Sequence, residues 1–327
     1  GVSSLSTETG GNSNVAVGAS ALVTSNGGNF NSAVGDQALA LLTTGDENTA
    51  IGYKAGYAAT TAFQSVFIGD SVCLSGQNTA GQNVFIGYEV AKANTSGDGN
   101  TILGARAFQA NTTGASNIAI GLDALDGCDT ENSNVAIGTD ALGGGIAGGE
   151  QNVAVGRLTL SNLTSGDDNV AVGHNAGNAL QAGAFNTIVG RSAMEASQGD
   201  RYNVAIGFEA LKVFNTGTTV NDTANCAVGA QAGLRVTSGA ANTLIGGEAG
   251  TQVTTGSNNT CLGNGAGGNA SPNQTVTGSN KIVLGNNSIT DAFIKVDWTV
   301  TSDKRDKTDV EALTMGLDFV NQLNPVT

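Results

Sequence analysis

A chain of 327 residues with 39% hydrophobic side chains is too apolar for disorder, and 5% aromatics are too few for a sugar-stacking catalytic cleft. Its 49 glycines follow no Gly-X-Y period, which excludes collagen. A net charge of −14 leaves too little Lys and Arg for phosphate neutralisation, so no nucleic-acid partner is expected. No apolar run approaches the roughly 18 residues of a membrane helix, so no membrane insertion is expected either. The chain opens at Gly1 without a charged-then-apolar leader, as expected of a stretch from inside a longer protein.

From Asn14 onward one phrase recurs: NVAVGASAL from Asn14, NSAVGDQAL from Asn31, NTAIGYKAG from Asn48, NIAIGLDAL from Asn117, NVAIGTDAL from Asn134, NVAIGFEAL from Asn203. Anchored on its glycine, the series runs Gly18, Gly35, Gly52, Gly69, Gly87, Gly104, Gly121, Gly138, Gly156, Gly173, Gly190, Gly207, Gly229, Gly246, Gly263 and Gly285. These are sixteen copies at intervals of 17 or 18 residues, except for two intervals of 22 before Gly229 and Gly285. A short fixed period over most of a chain specifies a stacked architecture whose core is a line.

Positions are counted here from that glycine. Position −1 is Val, Ile or Leu, −3 is mostly Val, Thr or Ile, and −2 is usually Ala. This composition is that of a strand. Alternation puts −1 and −3 on one face and −2 on the other. Both faces are apolar, so one must fill the inside of a coil and the other needs an external cover, cheapest from an identical chain. Small Ala at −2 fits close approach at a symmetry axis, leaving −2 as the face to be covered. After two variable residues, Ala at +3 and Leu at +4 read as a second short inward segment, followed by Thr- and Gly-rich turns such as Thr43-Thr44-Gly45. Each copy is then two strands and two turns. The fold class is all-β, a parallel β-solenoid or β-roll of about 16 coils, roughly 75 Å long.

Position −4 is Asn in fourteen of sixteen copies: Asn14, Asn31, Asn48, Asn83, Asn100, Asn117, Asn134, Asn152, Asn169, Asn186, Asn203, Asn225, Asn242 and Asn259. Only Ser65 and Lys281 depart from it. An amide repeated on every coil can bond its copies above and below, or cap the turn entering the strand, and an internal ladder is expected. Charged residues gather at +1, +2 and the turns, where solvent is expected. Inserted residues 213–222 and 268–278 should project as loops.

No cofactor and no metal is expected. The Asp spacing of calcium-binding nonapeptide solenoids is absent. The only histidine, His174, sits in the variable +1 row as a solvated side chain. The four cysteines, Cys73, Cys128, Cys226 and Cys261, have no C-x-x-C spacing and read as buried free thiols. No nucleophile elbow, Walker loop or zincin helix is present, and Gly263-Asn264-Gly265 belongs to the repeat. No external substrate is expected.

The repeat occupies residues 1–290, and after Gly285 the pattern changes. Residues 291–301 begin with DAFIKVDWTV, which reads as a connecting strand carrying the only tryptophan, Trp298. A charged turn, Ser302 to Lys307, precedes an expected helix from Thr308 to Leu323, capped by Thr308 or Asp309 and closed by Pro325. Val310, Leu313, Leu317, Val320 and Asn324 fall at heptad-like spacing.

Two resemblances follow from these residues. The segment TSDKRDKTDVEALTMGLDFVNQLNPV, residues 301–326, resembles the start of the C-terminal intramolecular chaperone domain of phage tail fibres and tailspikes. That resemblance implies a segment 302–327 that trimerises the fibre and then cuts itself off. Ser302 would be the nucleophile, Lys307 its base, and cleavage would fall before Asp303. The family's domain continues for about a hundred residues, whereas this sequence reaches Thr327. Independently, the N-x-A-[IV]-G-x-x-A phrase is similar to repeats of trimeric autotransporter adhesin heads, which are left-handed trimeric β-rolls.

Together the resemblances imply a homotrimeric phage tail-fibre shaft in the virion, bound to a host cell-surface receptor (glycan or surface protein) and to other tail proteins. The alternative they leave open is an adhesin head on a bacterial cell surface. An ice-binding solenoid would need a flat row of Thr, and Thr fills −3 in only a minority of copies.

Overall fold

The computed structural model describes residues 1–7, 9–144, 149–268 and 278–293. The chain divides into two units, residues 1–288 and 289–327. In the first unit every copy of the repeat contributes one three-residue strand at −3 to −1, from Val15–Val17 to Ile282–Leu284. These pair in chain order into a single sixteen-stranded parallel sheet. Register is strict: Val15, Ala16 and Val17 face Ser32, Ala33 and Val34, and the same offset continues to Thr260, Cys261 and Leu262 against Ile282, Val283 and Leu284. The fold is therefore a parallel β-solenoid with a 17-residue coil. At about 4.8 Å per strand its sheet is roughly 75 Å long.

The inward face is the −2 face. Ala33, Ala50, Phe67, Phe85, Ile102, Ala119, Ala136 and their successors are fully buried, joined by +3 and +4 residues such as Ala38, Leu39, Ala124 and Leu125. This corrects the expectation that −2 is the face left uncovered. The interior of a 17-residue coil is too narrow for a β-branched row facing Leu from the opposite wall. Ala fits inside, so Val and Ile turn outward. Where −2 is large, the opposite wall yields: Gly56 faces Phe67, Gly177 faces Ile188, and Gly233 faces Leu244. An added Cβ at any of these glycines would lie 2.8–2.9 Å from the larger side chain. Volume is thus conserved coil by coil, as close packing demands.

The second strand expected at +3 and +4 does not form. Residues at +2 and +4 instead take left-handed backbone, for example Gln37 (φ 57) and Leu39 (φ 49), or Glu209 (φ 55) and Leu211 (φ 50). A left-handed L-residue costs about 1–2 kcal/mol. Each conformation is held by cross-coil bonds: Gln37 N donates to Ala19 O at 2.8 Å and Leu39 N to Ala55 O at 3.0 Å. Leu39 also buries its side chain completely, which contributes about 1.5–3 kcal/mol and offsets the strain.

The inserted segment before Gly229 is tied down. Asn221–Asp222 pairs in parallel with Asp200–Arg201, and buried Asp200 accepts from Ser197 Oγ at 2.7 Å and from Thr216 Oγ1. The connecting strand at 291–301 lies outside the described residues after its first three, which form no regular element. The helix expected over 308–323 also lies outside them, as do most of the residues inserted before Gly285.

Asp126, in the turn after Leu125, has one carboxylate oxygen buried without a hydrogen-bond partner. Burial first, then like charge from Asp123 and Asp140, pushes its carboxyl up to about 6. The folded state therefore holds this proton more tightly than the unfolded chain, and stability falls as pH rises from about 4 to about 6. Asp126→Asn should raise the thermal midpoint at pH 7.5 by about 1–3 °C, discounted for partial exposure. The gain should shrink below pH 6 and vanish near pH 3.5, measured by circular dichroism melts.

Candidate functional site: the asparagine ladder and the outward apolar face

Strand pairing puts the −4 asparagines of successive coils directly above one another, at the buried entrance to each strand. Each Oδ1 accepts the backbone N–H of the next Asn: Asn48 N donates to Asn31 Oδ1 at 3.0 Å, Asn117 N to Asn100 Oδ1 at 2.9 Å, and Asn242 N to Asn225 Oδ1 at 3.0 Å. Nδ2 donates to the turn carbonyl at −7 of the following coil, as Asn31 to Gly45 O at 2.8 Å, Asn83 to Gly97 O at 2.9 Å and Asn259 to Gly278 O at 2.9 Å. Asn203, which precedes the 22-residue interval, instead donates to Arg201 O at 3.0 Å. In several steps Nδ2 also reaches the neighbouring amide, for instance Asn186 to Asn169 Oδ1 at 3.0 Å. Asn14, Asn134 and Asn152 make the same links, and Asn203 keeps the first of them, its Oδ1 accepting Asn225 N at 3.0 Å.

The side chain therefore does both things open to it, bonding its copies and closing the turn. At the first departure Ser65 keeps half of the function, because its Oγ accepts Asn83 N at 3.2 Å. At the second, Lys281 still donates its backbone N–H to Asn259 Oδ1 at 3.1 Å.

A second row of caps sits two residues earlier, at −6. Asp46 Oδ1 accepts Asn29 N at 2.6 Å, Asp98 Oδ1 accepts Gly81 N at 2.6 Å, Asn132 Oδ1 accepts Ala115 N at 2.8 Å and Asp167 Oδ1 accepts Glu150 N at 2.8 Å. Sequence reasoning missed this row because −6 alternates acceptors with Phe63, Gly81 and Ala184, which cap nothing.

Outside the coil, −1 and −3 present an apolar stripe along the sheet. Val17 is 56% exposed, Ile51 44%, Leu103 47%, Ile245 41% and Leu284 55%. Three residues per strand over about 75 Å make a sheet face of roughly 750 Å², apolar at every −1 position and at ten of the sixteen −3 positions. That exceeds the usual largest patch of about 300–600 Å² on a monomer and matches one side of a standard interface of about 800 Å².

His174 lies in this outer region, its Nε2 3.5 Å from Arg157 Nη1, and among the described residues no acid or nucleophile is hydrogen-bonded to its ring. Cys73 and Cys128 are buried free thiols, Cys261 is buried as well, and burial pushes the Cys73 thiol up to about 12. Cys226 departs from the expectation of burial because it stands at an outward −3 position and is half-exposed. Among the described residues no three His, Cys, Asp or Glu side chains converge as a metal would require. Ser302, Asp303 and Lys307 lie outside the described residues. No helix among the described residues is long and apolar enough to cross a membrane.

No protein-family model matches this chain, and no curated protein matches it.

Removing one ladder amide leaves a buried backbone donor and a buried carbonyl unpaired. Asn169→Ala should cost about 2–4 kcal/mol in denaturant unfolding, from the four side-chain bonds lost or orphaned. Asn169→Ser should cost less than half of that, since Ser65 already keeps the acceptor. Equal losses for the two variants would show that the amide's reach does not matter.

Proposed function

We propose that the protein is a fibrous adhesion rod, the homotrimeric shaft of a phage tail fibre that carries a host-cell receptor-binding assembly. The observation that supports this most directly is the unbroken outward stripe of Val, Ile and Leu along a sixteen-stranded sheet. A lone chain in water leaves it uncovered, whereas copies around an axis parallel to the rod bury it together. The ladder and the cross-coil bonds make a stiff spacer, and no described side-chain cluster offers chemistry on an external substrate. A bacterial adhesin head is the second reading, favoured by the repeat phrase itself. The charged turn at Ser302 to Lys307 favours the fibre.

Light scattering should return three times the 32.3 kDa chain mass. A monodisperse monomer would overturn the trimer. Replacing Val170, Val172, Ile206 and Ile245 with Ser should dissociate the assembly by at least tenfold while leaving the circular dichroism of the coils in place.

On this reading the C-terminal segment cuts itself once after assembly, with Ser302 as nucleophile and Lys307 as base. Expression with the full downstream region should yield a product ending at Ser302 by intact-mass spectrometry. Ser302→Ala should abolish that product, and an unchanged fragment pattern would sink the assignment.

A further inference from the structure

Two exposed rows flank the apolar stripe. Residues at −5 and −6 enter each strand, and residues at +1 and +2 leave it. Six or more residues separate the rows within a coil, about 20 Å of extended chain, so they cannot meet in one copy. Their charges are nevertheless matched coil by coil. Acids occupy −5 or −6 in four coils only: Asp46 and Glu47, Asp98, Glu150, and Asp167 with Asp168. The same four coils carry Lys54, Arg106, Arg157 and His174 at +1 or +2. The one base in the entering row, Arg201, shares its coil with Glu209. Arg191 shares its coil with Phe185, which is 45% exposed, and Phe208 shares its coil with exposed Tyr202. Asn264 and Asn286 share theirs with Asn258 and Asn280.

We infer that these rows set the register of self-assembly: the leaving row of one copy meets the entering row of the next copy at the same coil. The inference rests on the assembly proposed above and specifies its partner as a second copy of this chain, parallel and unshifted. An axis along the rod brings opposite ends of the strand together at equal height. A slip of one coil in one direction would set Glu47 against the partner's Asp70 and Asp98 against Asp123. A slip the other way would set Glu47 against Asp36, Asp98 against Glu89 and Glu150 against Asp140. Asp168 meets an arginine in either slip (Arg191 or Arg157) and Glu150 meets His174 in the first, so the discrimination falls on Glu47 and Asp98 in both directions and on Glu150 in one. In register all four acidic coils face a base. The apolar stripe repeats on every coil and tolerates either slip, so discrimination falls to the rims, where like charges in apposition are costly. In-chain bonds leave part of the rims available: among the described residues Arg157 and His174 form no ion pair, and Asp46, Asp98 and Asp167 each use Oδ1 on the preceding coil. Arg106 already pairs with Asp123 of the next coil at 2.6 Å, Arg191 lies over Phe208 and Phe185 stacks on Tyr202, so these groups would share or exchange their in-chain partners on assembly.

The test uses the full chain in a Cys226→Ala background. Paired His174→Cys and Asp168→Cys should form intermolecular disulfides under mild oxidation in more than half of the chains. The slipped pairs, His174→Cys with Gln151→Cys and His174→Cys with Phe185→Cys, should give less than a tenth of that. Alongside, Glu47→Lys with Asp168→Lys should reduce the assembled fraction at least tenfold, and adding Lys54→Glu with His174→Glu should restore it. An assembly seen by light scattering that cross-links through a slipped pair, or through none, overturns the register while leaving the oligomer intact. A failure of the second charge pair to restore assembly also overturns it. A monomer overturns both readings together.

Discussion

The structure depends on the need for each coil to present to the next the backbone it received from the one before. Hydrogen bonds between coils run at about 4.8 Å, and the glycine at position 0 is where this spacing is least forgiving. Gly138 sits at φ +133, and a Cβ there would lie 2.6 Å from the backbone of Gly156 in the next coil. Before the strand, Asn at −4 fills a polar gap that recurs in the wall of nearly every coil, and beyond it Ala and Leu line the interior. Each role follows from the spacing, which is why one phrase survives sixteen repetitions with so few changes.

Much of this is legible in the amino-acid sequence. The period places the strands, and the recurring amide places the ladder, because a polar side chain at constant height in an apolar wall has few partners other than its own copies. The direction of the strand's faces is not legible there. Ala at −2 and Val or Ile at −1 are both apolar, and periodicity cannot tell inside from outside when both faces avoid water. Coil volume decides it, and volume appears only once Leu39 and Leu125 are seen entering from the opposite wall. Nor does sequence announce that those leucines adopt left-handed backbone. Leu has no intrinsic taste for that conformation, and tertiary hydrogen bonds impose it.

The inversion of the faces sharpens the functional reading. A row of alanines facing outward would offer little area and would fit a neighbour only at very close approach. A row of Val, Ile and Leu offers far more apolar surface per coil, in stiff β-branched side chains that lose little rotamer entropy on burial. The exposed stripe is therefore a stronger reason for association than the sequence pattern implies. It also accounts for the half-exposed Cys226, which occupies a position where other coils place Val or Thr.

A repetitive interface carries a hazard that globular interfaces do not, since every translation by one coil remakes nearly the same contact. The apolar stripe supplies most of the available area and none of the discrimination. Exposed ion pairs are worth little individually, about 0–1 kcal/mol, so they add little cohesion. In the assembly proposed, their use would lie in the difference between registers: a slip turns two or three of the four acid–base pairs into like-charge pairs at once. Uniformly apolar residues at −1 alongside irregular residues at −5 and +1 are then two halves of one requirement. In the assembly proposed, the first would hold copies together at any height and the second would admit one height alone.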